Sequence, residues 1–256
     1  MLQLRLRPPC SREFCKDVYR PGIISLARLL WGSLGAGLFL WAVALLSDAC
    51  GVGLLYPPLA ATCFINATCV YLRVARPKQV IVGHFVSSVG GLLALMLVTA
   101  TVSAPTLLIP LKLGVAVSLA AVFMQLFDAD HPPAASTAAI PAILPIPADP
   151  LLLPLHMSWG AVLVVVFSLL WNRIWFDFPP PEDASCPRCL GLAMSRAEAS
   201  GLVLCILAAV LMGLKPLALY SYHAGLGVMA LGLAVLMLHH FFDLVLILKD
   251  PPGSHS

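Results

Sequence analysis

Two short segments of the chain combine paired prolines with hydroxyl-bearing and ionisable residues: Tyr56-Pro57-Pro58-Leu59-Ala60-Ala61-Thr62 and His131-Pro132-Pro133-Ala134-Ala135-Ser136-Thr137. Proline suits the first turn of a helix, where its missing N–H would have no intrahelical partner, so each pair starts a helix. The hydroxyls of Thr62, Ser136 and Thr137 then stand near the unpaired N–H groups of two helix N-termini. Donors gathered at the positive end of a helix dipole are the chemistry of a small-anion site. The plainer reading is helix-start punctuation at tight turns, and the residues alone leave both readings open.

Two histidines add ionisable chemistry. His131 adjoins Asp128 and Asp130, and His84 opens Gly83-His84-Phe85-Val86-Ser87-Ser88. Histidine is costly inside a bilayer, so each is either a functional group or a donor to a neighbouring carbonyl; for His131 the functional role is proton-coupled transport or gating. Arg76 and Lys78 would draw an anion to one mouth, or serve as topology determinants that meet lipid headgroups. His84 and His156 lie in corresponding apolar stretches, as a bis-histidine haem would require. The adjacent His239 and His240 point about 100° apart on a helix and cannot easily share one ligand face. Cys186 and Cys189 supply half of a zinc ligand set. No cofactor and no metal is expected. The acidic residues form no paired-carboxylate, nucleophile or phosphate-loop constellation, so no enzyme is expected either.

The elements that must position these residues follow from composition. The chain has 256 residues, 60% hydrophobic and 11% charged, with a mean hydropathy of +0.95. A chain this apolar is a polytopic membrane protein. The net charge of +3 resides in short basic clusters between apolar runs, which excludes a nucleic-acid surface. Apolar stretches at about 23–47, 54–72, 79–103, 106–127, 132–148, 154–176, 200–219 and 223–248 give eight candidate crossings. The second and fifth shrink to roughly 15 residues after their proline pairs, about 22 Å against a core of about 30 Å. The basic N-terminus is followed by an apolar stretch too long for a signal-peptide core, so the first helix is expected to stay. Several of the eight cysteines fall in apolar runs and do not read as a disulfide framework.

With eight crossings, all but Lys112 and Lys215 of the 15 Lys and Arg residues fall on one side. Both termini are therefore expected in the cytoplasm or the equivalent organellar compartment, of a bacterial inner membrane or an organellar membrane. Helices one to three and four to six then form two three-crossing units, and a three-crossing unit repeated in tandem is necessarily inverted. The proline pairs are 75 residues apart (Tyr56 to His131), and His84 and His156 are 72 apart.

His131-Pro132-Pro133 with its small-residue tail resembles the HPP family of integral membrane proteins. A second stretch supports the likeness: Tyr56-Pro57-Pro58-Leu59-Ala60-Ala61, then Ala75-Arg76-Pro77-Lys78-Gln79-Val80-Ile81-Val82-Gly83-His84, which is similar to the family's PPLGAS-like and PRNVIGGH-like segments. The likeness covers about residues 23–176 and implies a small-anion transporter, with nitrite as the family-based substrate. Its motif positions here are Pro57, Pro58, Arg76, Pro77, Gly83, His84, His131, Pro132 and Pro133. The chain departs from the pattern at Ala60-Ala61-Thr62 and at Pro77-Lys78-Gln79.

The expected fold is an all-α polytopic bundle. It comprises a basic N-terminal segment (1–22), an HPP-like core (23–178), a loop with the Cys186–Cys189 pair (179–199), a C-terminal helix pair (200–248) and a tail (249–256). The expected substrate site comprises Pro57, Pro58, Thr62, His84, His131, Pro132, Pro133, Ser136 and Thr137. Expected partners are the lipid bilayer, a small inorganic anion, and homo-oligomer or membrane-complex contacts through 200–248. The alternative function is a non-catalytic integral membrane subunit of a larger complex.

Overall fold

A computed structural model describes residues 2–6, 26–69, 72–102, 104–144, 149–175, 188–189, 192–239 and 241–246. Eight α-helices dominate the described chain: α1 (Leu26–Cys50), α2 (Tyr56–Thr68), α3 (Pro77–Thr101), α4 (Pro105–Leu126), α5 (Pro132–Ile143), α6 (Leu153–Trp175), α7 (Arg196–Gly213) and α8 (Leu219–Leu238). Six are long and apolar enough to cross a membrane, and α2 and α5 are the exceptions. With 13 and 12 residues they reach about 18–20 Å at 1.5 Å per residue. Prolines occupy the first turns of α2, α3, α4 and α5, as the sequence implies. Pro141 lies near the far end of α5, where it cannot supply the N–H that the Thr137 carbonyl would otherwise accept.

The C-terminal apolar stretch departs from expectation. Helix α8 stops at Leu238, where the His239 ring bonds the Leu236 carbonyl through Nδ1 (2.7 Å). Phe242–Leu246 is instead extended and pairs antiparallel with Leu2–Leu6, so the two ends of the chain meet. A second two-residue ribbon joins Arg188–Cys189 to Leu192–Ala193. Cys186, His240, most of the basic N-terminal segment and the tail after 246 lie outside the described residues.

Helices α3 and α6 form the centre of the bundle, 61% and 67% buried over their spanning windows, against 17% for α4. Leu30, Trp41, Leu107, Val122, Val203 and Leu231 face outward, as a bilayer solvent allows. Within the core, the main packing pairs are α1 with α2 and α6, α4 with α5 and α3, α2 with α6, α5 with α3, α3 with α6, and α2 with α5. Exchanging α1–α3 for α4–α6 maps six of these pairs onto one another and leaves α3 with α6 and α2 with α5 unchanged. Helices α7 and α8 pack on each other and against α3 and α6.

The helix ends preceding α2 and α5 share a backbone design. At the end of α1, Gly51 N–H donates to Asp48 O (3.3 Å) and Val52 N–H to Ser47 O (3.0 Å); at the end of α4, Asp128 N–H donates to Gln125 O (3.2 Å) and Ala129 N–H to Met124 O (2.8 Å). Both are Schellman ends whose pivot residue is left-handed, Gly51 at φ +61° and Asp128 at φ +52°. Glycine enters that region freely, and aspartate is among the side chains that tolerate it best.

Candidate functional site

Helix α5 lies close against α3 because α3 presents glycine there. A Cβ on Gly91 would fall 2.6 Å from the Ala138 carbonyl oxygen, and one on Gly83 would fall 2.9 Å from His131 Cβ. The opposite crossing, α6 on α2, uses Gly160, whose Cβ would meet Leu59 Cδ1 at 2.9 Å. Leu59 and Ala134, which faces Gly83, stand at the same distance after their proline pairs. Small residues at both crossings bring the short helices into the middle of the bundle.

There, two threonines and two histidines close on one another. Thr62 Oγ1 lies 2.8 Å from His84 Nε2 and 2.9 Å from His131 Nε2, and His84 Nδ1 lies 2.9 Å from Thr137 Oγ1. His131 Nδ1 lies 2.7 Å from the Val74 carbonyl, and the Thr62 hydroxyl is also 3.0 Å from the Pro58 carbonyl. All four side chains are fully buried. The imidazole centroids are 5.3 Å apart. His84 thus joins the equivalent threonines of the two short helices, Thr62 and Thr137, which are 75 residues apart like the proline pairs.

The other expected residues take supporting places. Pro58 and Pro133 are buried while Pro57 and Pro132 are exposed, the same alternation in both helices. Ser136 Oγ donates to the Pro133 carbonyl (2.6 Å), so its hydroxyl is spent within α5. His156 is not part of the network: its Nε2 meets Tyr222 OH of α8 at 2.7 Å, while the adjacent Trp159 Nε1–H donates to Ala209 O of α7 at 3.0 Å. The likeness of sequence around His84 and His156 therefore does not carry a shared role. Among the described residues, no three His, Cys, Asp or Glu side chains converge as a metal site.

Sequence reading missed the charged collar beside the network. Asp128 pairs with Arg73 and lies 3.5 Å from Lys78 Nζ, although Lys78 is only 5% exposed. A buried ammonium requires such a partner. Arg76, its sequence neighbour, is exposed. Glu198, which completes a capping box with Ser195 at the start of α7, approaches His239 Nε2 at 3.3 Å. Also missed was an amide chain beneath Thr62. Asn66 Nδ2 donates to Thr62 O (3.0 Å) and Asn172 Nδ2 donates to Asn66 O (3.0 Å), tying α6 to α2. The available signal was two asparagines inside apolar runs, where polar side chains serve as interhelical ties.

Comparison with curated proteins and with solved structures returned no match. Comparison with protein families gives a match to the description "HPP, transmembrane region" over residues 21–179, from before α1 to beyond α6, which takes in the Thr62–His84–His131–Thr137 network but not α7 and α8. With six helices long and apolar enough to cross a membrane, and a match to the family model over more than half of its length, the chain is an integral membrane protein that belongs to the HPP family.

Proposed function

We propose that the protein is a transporter, not an enzyme, that carries a small monovalent anion across the membrane, with nitrite as its substrate and proton movement linked to anion movement. HPP family membership points to membrane transport in general. The observation that carries the finer reading is the meeting of two short helices inside the bundle, with Thr62, Thr137, His84 and His131 at the junction. Half-length helices that end at mid-membrane are where transporters hold ions. In the closed network these donors satisfy one another; when α2 and α5 part, hydroxyls, imidazole N–H groups and two helix N-termini become available to replace an anion's hydration.

The core is read as two inverted three-helix halves. Support comes from the exchangeable packing pairs, the paired Schellman ends and the 75-residue spacing of Thr62 and Thr137. Both termini are assigned to the cytoplasmic or equivalent side on the distribution of Lys and Arg.

The test is anion uptake into proteoliposomes containing this chain alone, comparing nitrite, nitrate, formate and chloride with and without a pH gradient. Saturable nitrite flux that responds to the gradient supports the reading. Absence of flux from folded protein turns it toward a non-catalytic subunit of a membrane complex, with the outward faces of α7 and α8 as contacts.

A further inference from the structure

We infer that the Thr62–His84–His131–Thr137 network is a binding site for one proton, taken up at Nε2 of His131, with the Thr62 hydroxyl as the two-position switch that accommodates it. The hydrogen-bond partners dictate this. A carbonyl only accepts, so the contact with Val74 O requires a proton on Nδ1 of His131. In the neutral ring Nε2 then carries a lone pair and accepts from the Thr62 hydroxyl. The Thr62 oxygen can in turn accept from His84, which places the His84 proton on Nε2 and leaves its Nδ1 to accept from Thr137. Every bond in this chain runs in one direction, from Thr137 through His84 and Thr62 to His131 and Val74 O.

A proton added to His131 Nε2 reverses only one of these bonds. His131 Nε2–H now donates to the Thr62 oxygen, and the Thr62 hydroxyl proton turns to the Pro58 carbonyl, 3.0 Å away. The Thr62 oxygen accepts from both histidines with its two lone pairs, so every polar atom remains satisfied. A proton added to His84 Nδ1 has no such outlet. It would oblige Thr137 to give its own proton to another acceptor, and among the described residues Thr137 Oγ1 has no hydrogen-bond partner except His84.

The ionisable groups on the elements packed around His131 do not neutralise its charge. Besides His84 they are Tyr56 and Cys63 on α2, Arg73 and Arg76 in the turn before α3, Lys78 on α3, Lys112 on α4, and Asp128 and Asp130 just before α5. Asp128 is held by Arg73 and Lys78, and Asp130 is exposed. The imidazolium would also stand at the positive end of α5. Its natural counter-charge is therefore an anion bound at the same helix end. On the transport reading proposed above, on which this consequence rests, one proton accompanies each monovalent anion and the transport step is electroneutral.

The test is histidine nitrogen NMR on the full chain, labelled with ¹⁵N-histidine, in lipid nanodiscs, titrated from alkaline to acidic pH with and without sodium nitrite. The expected alkaline state has His131 protonated at Nδ1 and His84 at Nε2, with His131 the one of the pair that titrates. Saturating nitrite is expected to raise its midpoint by about one pH unit or more, because coupling between two ligands is reciprocal. Thr62→Val, which removes the acceptor, should lower that midpoint, and Thr62→Ser should restore it. Reversed tautomers, or His84 titrating first, overturn the proton site even if proton-driven nitrite flux is measured. The assigned tautomers and single titration, with neither flux nor a nitrite shift, keep the proton site and overturn the transport reading.

Discussion

Helices α2 and α5 occupy equivalent places in the bundle, yet they are not chemically equivalent. Each follows a Schellman end, starts on an exposed and a buried proline, and offers a buried threonine to His84. The difference lies at their first residues. Tyr56 turns back to the end of α1, its hydroxyl 3.2 Å from Ser47 and 3.4 Å from Asp48, whereas His131 turns to Thr62 of the other short helix. At the left-handed pivots the contrast recurs: Gly51 offers only its backbone, whose carbonyl accepts from Lys215 Nζ, while the Asp128 carboxylate anchors Arg73 and the buried Lys78. Two helices in matching surroundings thus differ in chemistry, with the buried ionisable side chain at the start of α5 and none at the start of α2.

The sharpest way to break the comparison is at the two glycine crossings. Gly91→Ala drives a Cβ into the backbone of α5, and is expected to cost about 1–3 kcal/mol, measured by thermal unfolding in detergent. Gly160→Ala meets only leucine side-chain tips, which can give way, and should cost less; Gly114→Ala, with nothing within 4 Å, should cost nothing measurable.

At the first residues of the short helices, His131→Ala should lower nitrite flux at least about tenfold and flatten its response to a pH gradient. Tyr56→Phe should leave both near wild type. Undiminished flux from well-inserted His131→Ala would remove the proposed asymmetry.

The pivots provide a third contrast. Asp128→Asn keeps a residue that tolerates the left-handed region but strips the charge from Arg73 and Lys78, at a cost of about 1–2 kcal/mol given partial exposure of the carboxylate. Adding Lys78→Met should return most of that loss, because no buried ammonium is then left unpaired. Among the buried polar changes the smallest effect is expected at Thr137→Val, about 1 kcal/mol, since Thr137 Oγ1 has one hydrogen-bond partner in reach where Thr62 Oγ1 has three. Chemical denaturation of both variants in parallel would rank them.

Much of the frame is legible in the sequence. Proline pairs announce the starts of α2 and α5 because proline is favoured at a helix's first turn. Apolar run lengths separate six spanning helices from two short ones. The expected site already held Thr62, His84, His131 and Thr137 together, but that Thr62 stands between the two imidazoles was not legible, because it joins residues from separate helices and depends on how closely those helices cross. His84 and His156 have similar neighbours in sequence, but only His84 lies on the helix face turned to α2 and α5. The end of α8 was misread as well, since apolar content alone does not distinguish Phe242–Leu246 as helix from the same residues as a strand paired with Leu2–Leu6.

By itself, then, the chain's sequence determines a membrane-embedded helical protein, its short helices and the residue types available at their starts. These are local properties, set by hydropathy, helix length and proline geometry. Tertiary structure decided which hydroxyl meets which imidazole, that Lys78 is buried while Arg76 is exposed, and that α7 and α8 brace α6 through Trp159 and His156. Such choices depend on close approach between distant segments, through glycines such as Gly83 and Gly91, and on the cost of withdrawing a polar group from water without a partner.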